Sequence, residues 1–133
     1  MKKRGITILL PTLDEAKALR NVVNRIPFEE ISADGWIVRI VVVDGGSTDG
    51  TIELARELNC EIIEQHGGSG KGRGLREAFA NFMNSDDSAL VMMDADGTYR
   101  PEQIPQFIHK LELENADIVI GSRMKGKIEN GAM

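Results

Sequence analysis

A chain of 133 residues is sized for one domain around one core. Sixteen Lys and Arg against twenty-one Asp and Glu leave a net charge of -5, which argues against a nucleic-acid binder with a basic face. The same balance means that an anionic ligand would need a local cation, either a metal ion or a few placed basic side chains.

The first residues are basic, but Ile6 to Leu10 is too short for a signal-peptide core and runs into Pro11. No apolar run has the length of a membrane span, so a cytoplasmic location is expected. Ile6 to Leu10 reads instead as a first strand. Thr12 and Glu15 have capping-box spacing for a helix whose apolar stripe is Leu19, Val22, Val23 and Ile26. Glu29 to Gly35 reads as a turn-rich link. The second strand, Ile37 to Val43, is mostly β-branched and lacks polar alternation, the pattern of a strand covered on both faces.

A short helix follows from about Thr51 to Leu58, then a weak third strand, Glu61 to Glu64. Cys60, the single cysteine, excludes an internal disulfide, suits a reducing compartment and reads as a small buried hydrophobe. Leu75, Ala78, Phe79 and Phe82 fall at helical spacing, with Met83 continuing the stripe. Ala89 to Met93 is a fourth strand. Pro101 suits the first turn of a helix carrying Ile104, Phe107, Ile108 and Leu111, with Glu102 favouring its N-terminal dipole. Asp117 to Ile120 is the fifth strand, and residues 125–133 are polar, aperiodic and expected to form a loose tail. The order βαβαβαβαβ implies one doubly wound α/β domain over 1–133 with a mainly parallel sheet.

Ligands of open α/β sheets bind beyond the carboxyl ends of the strands, and here every strand runs into polar residues. The first ends in Pro11-Thr12-Leu13-Asp14-Glu15 and the second in Asp44-Gly45-Gly46-Ser47-Thr48-Asp49. The third leads to His66-Gly67-Gly68-Ser69-Gly70-Lys71-Gly72-Arg73, the fourth to Asp94-Ala95-Asp96-Gly97, and the fifth to Gly121-Ser122-Arg123. Five such ends on one edge point to a binding crevice. Asp94 and Asp96, two apart in extended backbone, face one way, and paired carboxylates call for a cation between them. Mg2+ takes such a pair together with waters and phosphate oxygens. The alternative is a plain Asp-x-Asp-Gly turn.

Asp44 can accept N–H bonds from a nucleobase edge, with Gly45 and Gly46 allowing close approach. It could instead cap the next helix, a task that Ser47, Thr48 or Asp49 could also fill. The glycine-rich segment fails the P-loop pattern, since Gln65 and Gly72 stand where Gly and Ser or Thr are required. A looser role is left for it, a flexible loop that carries Lys71 toward a phosphate. His66 and His109 have no metal-ligand spacing.

Taken together, Leu10–Glu15, Val43–Thr51, Gly70-Lys71-Gly72, Met93–Gly97 and Ile120–Arg123 resemble the family 2 glycosyltransferases of the GT-A fold, a three-layer α/β sandwich. The nearest branch is similar to the dolichol- or polyprenyl-phosphate sugar synthases. The resemblance implies that Pro11, Thr12 and Glu15 line a base and ribose pocket, and that Asp44 binds the base with Ser47 beside it. It further implies that Lys71 lies near the nucleotide and Ala95 along the donor. Asp94 and Asp96 would hold Mg2+ or Mn2+, with Asp96 and Arg123 serving catalysis, and Arg123 would approach the diphosphate or the acceptor phosphate.

The implied partners are a nucleoside diphosphate sugar and a lipid-phosphate acceptor met at the cytoplasmic membrane face. Thr98 stands where some lipid-phosphate sugar synthases carry Gln as a further metal ligand. The family's domain continues past Gly-Ser-Arg, so a chain ending at Met133 is expected to be incomplete and to leave its fifth strand as an edge open to a second copy. Two competing readings are a nucleotide-binding module without turnover and a haloacid-dehalogenase-type phosphatase with Asp94 as nucleophile and Asp96 as acid and base.

Overall fold

A computed structural model of the chain describes residues 4–64, 71–95, 100–114 and 118–120. The elements are β1 (Arg4–Thr12), α1 (Ala16–Asn24), α2 (Phe28–Ala33), β2 (Trp36–Asp44), α3 (Thr51–Glu57) and β3 (Glu61–Glu64). They continue with α4 (Lys71–Met83), β4 (Asp87–Met92), a 3-10 turn (Pro101–Gln103), α5 (Ile104–Glu114) and β5 (Ile118–Ile120). The strands form one parallel sheet in the order β3-β2-β1-β4-β5. The chain therefore winds outward from β1 to β3, then returns to the other side of β1. That reversal opens a crevice between the carboxyl ends of β1 and β4.

Alternation along the central strands builds two cores. Ile6, Ile8, Leu10, Ile40, Val42 and Val91 face α1, α2, α3 and α5, packing on Leu19, Val22, Ile31, Ala55 and Ile104. Leu9, Val41, Val43 and Leu90 face the other way, onto Ala78 and Phe82 of α4. Helices thus cover both faces, giving three layers. The stripe on α1 is buried as its spacing requires, with Ile26 completing it beyond the helix end. Cys60 is buried, and burial pushes its thiol up to about 11, which keeps it a protonated, unreactive thiol at neutral pH.

Several expectations change. The segment 29–35 is not a link: Phe28–Ala33 is a helical turn and a half, with Glu29 and Glu30 in its first turn and Ile31 seated in the core. Thr12 does not cap α1, because β1 extends through it and pairs it with Asp44. The first half of β2 is not covered on both faces. Ile37 lies 56% exposed, and β3 does not pair with β2 before Val41↔Glu61. Met83 does not continue the α4 stripe, being 75% exposed at the helix end. The expected tail, 125–133, lies outside the described residues.

Candidate functional site

Parallel register brings the site residues to one level. Thr12 pairs with Asp44 across β1 and β2, and Asp44 with Glu64 across β2 and β3. On the other side of β1, Leu9 pairs with Met92, and the Met93 amide donates to the Leu9 carbonyl at 3.1 Å. Asp94 follows directly, half-buried, at the reversal of strand order. Pro11, Thr12, Asp44 and Asp94 therefore share the carboxyl edge that the sequence assigns to them.

Asp44 is 1% exposed, and four donors meet its carboxylate. Oδ1 accepts from Thr12 Oγ1 at 2.8 Å and from Ser47 Oγ at 2.6 Å. Oδ2 accepts from the Gly46 amide at 3.0 Å and the Ser47 amide at 2.7 Å. A carboxylate has about four acceptor positions, so this one is filled from within. Burial is the largest influence and pushes its pKa up. The hydrogen bonds from Ser47, Thr12 and Gly46 together outweigh burial and hold Asp44 below its ordinary 3.8. The Asp44 carboxylate is thus engaged in shaping its own turn. Gly46 takes φ 109° in that turn, where a Cβ would be strained.

The turn after β2 is clasped to the one after β1. The Gly45 amide donates to the Thr12 carbonyl at 3.0 Å, the Asp14 amide to Ser47 Oγ at 2.7 Å, and the Thr48 amide to Asp14 Oδ1 at 2.8 Å. Asp14 holds a left-handed φ of 53°, a conformation that short polar residues tolerate better than most. The Glu15 amide donates to Thr51 Oγ1 at 3.0 Å and the Ala16 amide to Asp49 Oδ2 at 3.1 Å. Glu15 occupies the N-cap position of α1, but its side chain does not cap the helix. The capping groups come from the other loop.

Asp14, Asp49 and Thr51 are thus structural members of the site; the strand-end motifs include them, but the sequence pattern assigns none of them a role in joining the two loops. For Asp49 the local signal is the Asp49-Gly50-Thr51 pattern, an Asp two residues before a helix start. Asp49 also supplies the α3 cap that was open between Ser47, Thr48 and Asp49.

Lys71 is the first residue of α4, so it opens a helix and does not ride on a loop. Asp96, His66, residues 67–70 and the Gly121-Ser122-Arg123 end lie outside the described residues. Ala95 is buried directly after Asp94. His109 lies exposed on α5, 4.0 Å from Glu112, away from any ligand set. Among the described residues no group of three or more His, Cys, Asp or Glu is arranged to hold a metal, and no helix is long and apolar enough to cross a membrane.

The sequence profile of the family described as Glycosyl transferase family 2 matches residues 7–133. Glycosyltransferase AglJ of Haloferax volcanii is 35% identical over 129 residues, covering 97% of this chain and 39% of that protein. A dolichol-phosphate mannosyltransferase of Pyrococcus furiosus is 34% identical over 128 residues, covering 94% of this chain and 35% of that one. Among solved structures, glucosyl-3-phosphoglycerate synthase from Mycobacterium tuberculosis, in complex with Mn2+, UDP and glucosyl-3-phosphoglycerate, superposes with a TM-score of 0.64 at 25% identity. That match covers 81% of this chain and 39% of the other. The chain thus spans less than two fifths of each of these proteins. The phosphatase reading does not survive, since the family profile runs through every strand and the Asp94 motif closes the fourth strand, whereas a phosphatase nucleophile motif opens its fold.

Proposed function

Because the chain belongs to glycosyl transferase family 2, with the GT-A α/β fold, we propose that it forms the donor-binding part of an inverting glycosyltransferase. The donor is a nucleoside diphosphate sugar of the UDP-glucose or GDP-mannose type, and the acceptor a polyprenyl or dolichyl phosphate met at the cytoplasmic face of a membrane. The observation that carries this reading is the shared level of Thr12, Asp44 and Asp94 around the reversal of strand order. One side offers a hydrogen-bonding turn for the base, the other a carboxylate for the diphosphate end.

Each group has a role set by its chemistry. Pro11, Thr12 and Glu15 line the base and ribose pocket. Asp44 reads a base N–H by exchanging the bond it receives from Ser47 Oγ, a hydroxyl that can rotate toward another acceptor. Ala95 lies along the donor, and Lys71, the first residue of α4, would sit near the nucleotide. Asp94 and Asp96 would hold Mg2+ or Mn2+; Asp94 is half-buried at the strand end, a hard oxygen donor suited to either ion. The ion, when bound, supplies Lewis-acid stabilisation of charge on the departing diphosphate. Arg123 adds a fixed positive charge toward the diphosphate or the acceptor phosphate. A phosphate acceptor, with a second pKa of about 6, is already anionic at neutral pH and needs no general base. A second copy pairs at β5, an edge of the sheet among the described residues.

Calorimetric titration with UDP-glucose and GDP-mannose, followed by transfer assays to a short polyprenyl phosphate, tests the proposal. Binding of one donor with little or no product from this chain alone is the expected result, and product from a chain extended by an acceptor part, as in the longer relatives, separates a transferase from a nucleotide-binding module. No binding of either donor contradicts the proposal.

A further inference from the structure

One carboxylate serves the first turns of two helices. Asp49 Oδ2 accepts from the Ala16 amide, the first residue of α1, at 3.1 Å. Asp49 Oδ1 accepts from the amide of Thr51, the first residue of α3, at 3.1 Å, and from its hydroxyl at 2.5 Å. Neither helix is capped by its own N-cap side chain: Glu15 makes no such bond, and Gly50, at φ 93°, has no side chain to do so. The first amides of a helix lack partners within it, and the dipole there favours an anion. The bond from the Thr51 hydroxyl, helped by the Ala16 and Thr51 amides, holds the Asp49 carboxyl below its ordinary value.

The two helices grow out of the two turns that carry Pro11, Thr12 and Glu15 on one side and Asp44 and Ser47 on the other. We infer that Asp49 is a positioning residue for the donor pocket. It does not contact the nucleotide; it sets the spacing of the two loops that do. Thr51 shares the task, since its hydroxyl accepts from the Glu15 amide while donating to Asp49. The clasp runs from α3 through Asp49 and Thr51 to the Glu15–Ala16 backbone, and through Asp14 and Ser47 to Asp44. If it opens, the polar face of the pocket loses its geometry while both cores stay packed.

This rests on the donor-binding reading of the same loops, so the test has two arms. Asp49→Ala removes both caps, and Asp49→Ser is too short to reach α1 but still serves Thr51. Arg39→Met, at the far end of the sheet, is the control for lost stability without a loosened clasp. The first arm is hydrogen exchange of the free proteins over residues 13–20, read well below their melting temperatures. Faster exchange there in both Asp49 variants, and not in Arg39→Met, is expected.

The second arm is calorimetry with UDP and GDP in Mn2+. The expected result is about a tenfold loss of nucleotide affinity in Asp49→Ala and little change in Arg39→Met, as for loss of a hydrogen bond to a charged group. Unchanged exchange over 13–20 overturns the inference, as does equal loss of affinity in Asp49→Ala and the control. Should the wild type bind neither nucleotide, the donor-binding reading fails and the exchange arm alone decides whether Asp49 spaces the loops.

Discussion

Arg39 and Asp87 lie on β2 and β4, two strands separated by β1, yet Arg39 Nε meets Asp87 Oδ2 at 2.9 Å across the face of the sheet. Thr7, on the strand between them, donates its hydroxyl to Asp87 and accepts from Arg39 Nη2 at 3.1 Å. Arg39 Nη1 reaches Glu61 of β3 at 2.8 Å and Asn81 of α4 at 3.0 Å. One guanidinium therefore ties four strands to a helix at the end of the sheet away from the site. Burial works against the charged form of Arg39, but the carboxylates of Asp87 and Glu61 more than offset it and raise its pKa.

Removing Asp87 leaves a part-buried guanidinium short of its main partner. Asp87→Ala is expected to lower unfolding stability by about 1.5–3 kcal/mol, the range for hydrogen bonds to charged groups. Pairing it with Arg39→Met should recover much of the loss. Urea denaturation of the single and double variants reads both. Gly5→Ala should act through the same cluster, because a Cβ on Gly5 would lie 2.1 Å from Asp87 Oδ1 and 3.3 Å from the Asp87 backbone.

Acid should weaken the loops before the cores. Asp44 and Asp49 both have folded-state values below 3.8, so they bind fewer protons folded than unfolded near that pH. Their contribution is complete above the unfolded value and is lost as the pH falls through 3.8 toward the folded values. Urea midpoints should drop across that window. Asp44→Asn should flatten the drop, and an unchanged slope in that variant would assign the acid sensitivity elsewhere.

Asp44→Asn also separates shape from charge. Its amide oxygen can accept from the Gly46 and Ser47 amides, while its NH2 donates to the Thr12 and Ser47 hydroxyls, which can turn and accept. The fold should persist by circular dichroism, and nucleotide affinity should fall about tenfold, in line with loss of a charged acceptor. Unchanged affinity would restrict Asp44 to holding its turn.

The strand pattern was legible because β-branched runs and apolar stripes carry their period openly. Ile37–Val43 lies in β2, most of Ala89–Met93 lies in β4, and the Leu19–Ile26 stripe is buried, although Ile37 itself is exposed. Phe28–Ala33 escaped because a six-residue helix has room for one core residue, Ile31, and no stripe; Pro27, Glu29 and Glu30 were its only marks. Thr12 was misassigned to a cap because its spacing to Glu15 is local, whereas its partner, Asp44, is 32 residues away. The clasp through Asp14, Asp49 and Thr51 was hidden for the same reason, since its bonds cross between two loops and depend on β1–β2 register. Asp94 and Asp96 were legible as a motif, and the strand order supplied the reason for the place of Asp94, beside the reversal at β1.

The most direct measurement is the affinity of the chain for UDP and GDP in Mn2+ and in EDTA, for the wild type and Asp94→Ala. At least one nucleotide is expected to bind in Mn2+, and chelation and Asp94→Ala should each weaken that binding about tenfold or more, as the loss of a metal bridge to phosphate requires. Equal affinity in Mn2+ and EDTA, or full affinity in Asp94→Ala, would contradict this expectation.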